Sequence, residues 1–315
     1  MIEKKDRQQP DQGGILDQNQ KGETDDQGTG SWKTIKETSL LALKEKAGLR
    51  ASISSLTGFR QFIESQSDHV HAAIGSGIEE LNKGILDFIP EKNLFNPSKI
   101  RGKFRQEKEL TESRRKANQS GKTLEVSLER AITASVKHPE VFNHLALLSG
   151  IYNKSQMCKQ VAIDLVVKRH DRLVMIELKA WDNENDSPLS ALMELSAYCL
   201  AYRKMLEFDS IRHGGRFEEA KFHDLVLMAP REYFEYWELD DASWLVLQES
   251  FESSLKSDDA GISMHRAVLD LGKTEFLDAI TAIAPESTLF DALSAESRQH
   301  IADAFQNSMT QLLRE

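Results

Sequence analysis

Between Gln160 and Trp181 the chain reads Gln-Val-Ala-Ile-Asp-Leu-Val-Val-Lys-Arg-His-Asp-Arg-Leu-Val-Met-Ile-Glu-Leu-Lys-Ala-Trp, two apolar runs joined by a polar turn at His170-Asp171. Val161, Ile163, Leu165, Val166 and Val167 precede the turn; Leu173, Val174, Met175, Ile176 and Leu178 follow it. Both runs have strand length and are rich in β-branched residues, which predicts a β-hairpin. Three charged residues interrupt it: Asp164, Glu177 and Lys179. Burying charge costs free energy unless the charge is paired or holds a metal. The segment therefore constrains the fold twice, since it must enter a core and its charges must find partners there.

Side chains two apart on a strand share a face, so Glu177 and Lys179 point the same way. A turn centred on His170-Asp171 sets Asp164 directly across from Glu177, on that same face; an odd-length loop would change the parity. Carboxylates paired this way lie about 5 Å apart at their Cβ atoms and repel unless a cation sits between them. Hard oxygen ligands of this kind suit Mg²⁺. The neighbouring lysine is placed to orient a water or to stabilise charge developing on a phosphoryl group.

At these residues the sequence resembles the PD-(D/E)XK nuclease superfamily, whose pattern stands here as Ile163-Asp164 followed by Glu177-Leu178-Lys179, without the proline of the name. The resemblance covers roughly residues 120–230 and implies an α/β fold, with a restriction-endonuclease-like mixed sheet flanked by helices. It also implies a Mg²⁺- or Mn²⁺-dependent nuclease acting on nucleic acid, DNA foremost. Asp164 and Glu177 would be metal ligands, and Lys179 would orient the water. The first core helix of that superfamily often adds an acid. Leu128-Glu129-Arg130-Ala131-Ile132 resembles that helix, which assigns the role to Glu129, with Glu125 in reserve. Glu194-Leu195-Ser196-Ala197-Tyr198 is similar to the Gln-x-x-x-Tyr motif of the RecB-like branch, with Glu for Gln, and makes Tyr198 a candidate nucleic-acid contact. The competing readings are a non-catalytic binding module of the same fold and a helical assembly or regulatory protein.

The remaining chain sets the context. Residues 1–31 carry almost nothing to bury and read as a disordered polar tail. Residues 32–98 show helical apolar spacing, with Ile74, Ile78, Leu81, Ile85 and Phe88 as one stripe. Gly75, Gly77 and Gly84 weaken that helix in isolation. This region is a candidate for packing on the nuclease-like part or for contact with a second copy of the chain. The net charge is -10, so attraction to a polyanion must be local. The one basic stretch, 99–122, reads either as a basic linker of mixed charge or as a phosphate-tracking surface, in which Arg101, Lys103 and Arg105 are the candidate contacts. The nuclease-like domain is assigned to 123–315. In it, helices are expected over Leu124–Val136, Val141–Leu148, Leu189–Leu206, Arg231–Leu255, Glu275–Ile283 and Ser297–Leu313. Strands are expected over Phe222–Ala229 and Ile262–Leu271. Two cysteines, Cys158 and Cys199, write no disulfide framework. No apolar run has membrane-spanning length, and the polar N-terminus has no signal-peptide character, so a cytoplasmic protein is expected.

Overall fold

The computed structural model describes residues 32–88, 121–136, 141–146, 162–169, 171–181, 183–207, 220–256, 261–284 and 292–312. The polar tail and the basic residues Arg101, Lys103 and Arg105 lie outside these ranges, as does Cys158. The described helices are α1 (Trp32–Lys46), α2 (Leu56–Ile63), α3 (Ser67–Phe88), α4 (Gly121–Ser135), α5 (Pro188–Leu206), α6 (Arg231–Tyr236), α7 (Asp241–Leu255), α8 (Lys273–Thr281) and α9 (Ala295–Leu312). The strands are β1 (Val141–Ala146), β2 (Ala162–Arg169), β3 (Arg172–Leu178), β4 (Phe222–Pro230) and β5 (Gly261–Leu269).

The strands form one mixed sheet in the order β1-β2-β3-β4-β5. β1, β2 and β3 are antiparallel, whereas β3, β4 and β5 run parallel. The hairpin register is Leu165↔Ile176, Val166↔Met175 and Val167↔Val174, the one expected of a turn centred on His170-Asp171. Parallel neighbours require a crossover, supplied by α5 between β3 and β4 and by α6 and α7 between β4 and β5. Burial on both faces explains why β3 and β4 read as nearly unbroken apolar runs, Arg-Leu-Val-Met-Ile-Glu-Leu and Phe-His-Asp-Leu-Val-Leu-Met-Ala-Pro.

Strand alternation divides the core. Leu173, Met175, Leu225, Leu227 and Ala229 face a cluster shared with α1, α2, α3, α5 and α7. Val174, Ile176, Leu178, Val226 and Met228 face the other cluster, shared with α4, α8 and α9. The N-terminal helices are thus part of the first core layer, with α3 packed against α1, α5 and α7. α5 is buried nearly all round, as expected of a central helix. Ser187 caps it by accepting from the Ser190 N–H at 3.2 Å, and Pro188 occupies its first turn. The Arg231–Leu255 segment divides at Glu238, which has φ 53°, and Asp240 caps the second helix through the Ser243 N–H at 2.7 Å.

One expected helix is a strand. Val141–Ala146 pairs with β2 through Val141↔Val167, Asn143↔Leu165 and Ala146↔Ala162. A run this short is compatible with either period, and the open edge of β2 decides by supplying ladder partners that a helix would forgo.

The glycines of α3 have a packing role. A Cβ at Gly77 would lie 3.1 Å from Leu43 Cβ and 3.3 Å from both Met193 Cε and Ser39 O, whereas one at Gly75 would meet only Ser254 Oγ, at 3.8 Å. Gly77 thus seats α1 and α5 against α3. Gly75→Ala is expected to stabilise the protein by about 0.5–1 kcal/mol through helix propensity. Gly77→Ala, two residues on, is expected to destabilise it by about 1–3 kcal/mol through overpacking. Urea unfolding of the two variants checks the pair.

Candidate functional site

The hairpin charges collect at one end of the sheet. Glu177 is the penultimate residue of β3, on the face that meets α5. The Lys179 N–H donates to Met228 O at 2.9 Å, so the strand path continues beyond β3 and carries Lys179 onto the same side. Asp164 lies where the β2–β3 ladder opens: its Oδ2 accepts the Leu178 N–H at 3.0 Å, a carboxylate serving where a strand carbonyl would. Ligands in open α/β sheets gather at this edge, beyond the carboxyl ends of the parallel strands.

Other elements add charge from every side. Lys179 Nζ is 2.6 Å from Glu177 Oε1 and 2.7 Å from Asp186 Oδ2, the latter in the loop before α5. It is 3.8 Å from Glu125 Oε1 of α4. Asn183 Nδ2 donates to Glu125 Oε2 at 3.0 Å. The loop holding Asn183 and Asp186 is clamped by the Tyr233 hydroxyl, which donates to Asp186 O at 2.8 Å, and by Trp237 Nε1, which donates to Asn183 O at 3.3 Å. From α5, Glu194 accepts the Tyr198 hydroxyl at 2.7 Å. From α1, Lys36 Nζ lies 2.5 Å from Glu194 Oε2 and 3.8 Å from Asp186 Oδ1.

Two groups of three carboxylates result, Glu125–Asp164–Glu177 and Glu177–Asp186–Glu194, each with one oxygen per residue within 4.8 Å of the others. Glu177 and Lys179 are only 3% and 2% exposed. Glu125, Asp186, Glu194 and Lys36, with side chains 16–23% exposed, form the rim. Among the described residues, the five carboxylates of the two groups face two ammonium groups, and the deficit falls unevenly. Burial and the charges of Glu177, Glu129 and Glu125 hold Asp164 well above the ordinary carboxylate range. Burial raises Glu177 to about 8 despite Lys179, and burial also raises Glu125. Burial would raise Asp186 and Glu194 too, but Lys179 and Lys36 outweigh it and hold both below their usual values. Burial disfavours the charge on Lys179, yet Asp186, Glu125 and Glu177 outweigh that, so Lys179 stays protonated well above the normal lysine range.

Asp164, Glu177 and Lys179 are therefore brought together. Glu129 is not: it is buried, and Asp164 feels its charge, but its oxygens belong to neither group. One turn earlier, about 6 Å along the axis, Glu125 takes the place in the cluster. Tyr198 offers no open face for a base, being 3% exposed and stacked on Trp32 at 6.0 Å and 7°. Its hydroxyl instead orients Glu194. Sequence reasoning missed Asp186 and Lys36. The position of Asp186 directly before the Ser187-Pro188 helix start was a usable signal, since residues there sit at a strand-to-helix connection. Nothing in the sequence marked Lys36, which lies 158 residues from Glu194.

No protein-family model matches the chain, nor does any curated protein or solved structure.

The raised acids make stability depend on pH. Glu177 has an ordinary value of 4.5 and titrates at about 8 in the fold. Between those values the folded state holds a proton the unfolded chain has lost, so its contribution is complete below 4.5 and disappears as pH rises through 8. Asp164 and Glu125 act in the same sense. The contributions of Asp186 and Glu194 are already complete above the ordinary carboxylate range and decline only in acid. In chelator, the thermal midpoint is expected to fall from about pH 5 to about pH 8, by about 2–4 °C for each kcal/mol lost. Asp164→Asn, which keeps an oxygen for the Leu178 N–H, should flatten that fall without lowering the midpoint. A level or rising midpoint in the parent protein would show that the acids act as satisfied structural ion pairs.

Proposed function

We propose that the chain is a divalent-metal-dependent phosphodiesterase acting on nucleic acid, with DNA as the primary substrate class. The observation that carries the reading is the convergence of Glu125, Asp164 and Glu177 beside the ammonium of Lys179. The donor set fits a hard cation such as Mg²⁺ or Mn²⁺: all its atoms are carboxylate oxygens, and Glu177 Oε2 is buried with no hydrogen-bond partner among the described residues. Asp164, Glu177 and Glu125 would hold the ion. When bound, it would polarise a phosphoryl oxygen and make water more acidic. The resemblance of Asp164 and Glu177-Leu178-Lys179 to the PD-(D/E)XK motif supports the choice of substrate.

The residues of the chain divide the remaining work. Lys179 is held charged by its acids, so it cannot act as the base. It donates hydrogen bonds and opposes charge developing on the phosphoryl group. The proton of an attacking water must pass to a carboxylate or to solvent. Asn183 fixes Glu125, and the Leu178 N–H fixes Asp164, so two of the three acids are oriented by neighbours within the fold.

Full-length protein incubated with labelled single- and double-stranded DNA and with RNA, in Mg²⁺ or Mn²⁺, tests this. Cleavage is expected to be metal-dependent and reduced at least about 100-fold in Asp164→Asn, which removes a ligand of the ion. Lys179→Ala is the harsher variant, because it leaves the buried Glu177, and Asp186 at the rim, without their ammonium, at a cost of about 3–5 kcal/mol. Absence of cleavage on all three substrates with either metal would overturn the reading. For substrate holding, neutralising Arg101, Lys103 and Arg105 together should reduce the log-log salt dependence of binding by about one unit per lost phosphate contact. An unchanged slope would place the phosphate contacts elsewhere.

A further inference from the structure

The two carboxylate groups share Glu177 but differ in what already holds them. In the Glu177–Asp186–Glu194 group, Lys36 Nζ lies 2.5 Å from Glu194 Oε2 and 3.8 Å from Asp186 Oδ1. Lys179 Nζ lies 2.7 Å from Asp186 Oδ2 and 2.6 Å from Glu177 Oε1. The Tyr198 hydroxyl takes the remaining oxygen of Glu194, at 2.7 Å. Both oxygens of Asp186 thus face an ammonium, and both of Glu194 meet an ammonium or a donor. The Glu125–Asp164–Glu177 group is held differently. Its one ammonium is Lys179, 2.6 Å from Glu177 Oε1 but 3.8 Å from Glu125 Oε1; Glu125 Oε2 accepts the Asn183 amide at 3.0 Å, Asp164 accepts a backbone N–H, and Glu177 Oε2 is buried with no hydrogen-bond partner among the described residues.

Lys36 is brought there by the docking of α1. One turn before it, Trp32 stacks on Tyr198, and the adjacent Ile35 is so close to α3 that a Cβ at Gly84 would lie 2.9 Å from its Cγ2. The Ser39 hydroxyl is satisfied within the helix by Ile35 O at 2.8 Å. An ammonium and a divalent ion compete for the same oxygens, and here the ammonium is delivered by a packed helix.

We infer that Lys36 fills the cation position of the Glu177–Asp186–Glu194 group with its ammonium, so that the centre takes a single divalent ion, at Glu125–Asp164–Glu177. The inference rests on the metal-centre reading above. It makes Lys36 a positioning residue and the N-terminal helix the element that sets metal stoichiometry. Removing the charge at position 36 while keeping its apolar stem frees Asp186 and Glu194 to hold a second ion.

Binding of Mn²⁺ to the full chain, counted by the paramagnetic resonance signal of the free ion and by calorimetry, tests this without reference to activity. The parent protein is expected to bind one ion, Lys36→Met and Lys36→Gln two, and Lys36→Arg one. Asp164→Asn, with Lys36 intact, is expected to bind none. Two ions on the parent protein, or one on both Lys36→Met and Lys36→Gln, would overturn the inference and leave the metal-centre reading standing. An ion retained at parental affinity by Asp164→Asn would overturn the inference even where the Lys36 variants do not fold. A parent protein that binds no ion would overturn the metal-centre reading, and the inference with it.

Discussion

The buried ammonium of Lys179 is the interaction on which the end of the sheet depends. Removing an ion from water costs several kcal/mol even after relaxation, and a lysine at 2% exposure is tolerable only with its acids in place. That requirement reaches several elements at once. β3 must continue past Leu178 along β4, the loop before α5 must place Asp186, and α4 must bring Glu125 round the sheet edge. The aromatic clamps on that loop, Tyr233 and Trp237, lie far from the ion pair in sequence, yet they hold its backbone through Asp186 O and Asn183 O.

The same constraint partitions the cluster. Two ammonium groups cannot neutralise five carboxylates, and their positions settle which acids remain charged. Asp186 and Glu194 are satisfied within the fold, while Asp164, Glu177 and Glu125 are left with excess negative charge, felt as raised proton affinity. An arrangement of this type is stable at modest pH as a partly protonated cluster.

How much could be read from the sequence follows from the range of each interaction. The β2–β3 register was legible because a short turn and a two-residue period leave little freedom once the turn centre is chosen. β4 and α5 were legible for a similar reason, their apolar runs being long and bounded by Pro230 and Pro188. β1 was not, because its run gains strand character only from the edge of β2. On α4, spacing alone cannot choose between Glu125 and Glu129, which differ by one turn; the choice shows only in the fold, where Glu125 reaches Lys179 and Asn183. Lys36 was invisible because it is an ordinary lysine on an amphipathic helix, and only tertiary packing sets it against Glu194.

The Lys36–Glu194 contact also has a consequence for the order in which the molecule is built. Its partners are 158 residues apart, whereas Glu177 and Lys179 are near neighbours and Asp164 lies across one hairpin turn. Closing a long loop must be offset before the contacts it brings contribute, so distant pairings tend to form late. During synthesis α1 emerges well before its acids and cannot complete its face until α5 has followed. The hairpin sets Asp164 against Glu177 locally, whereas Lys179 needs β4, through Met228 O, and the full charge pattern waits for α1 to meet α5. Until α1 docks, Asp186 and Glu194 lack the Lys36 ammonium, so a partly folded molecule holds its acids in a different electrostatic state from the finished one.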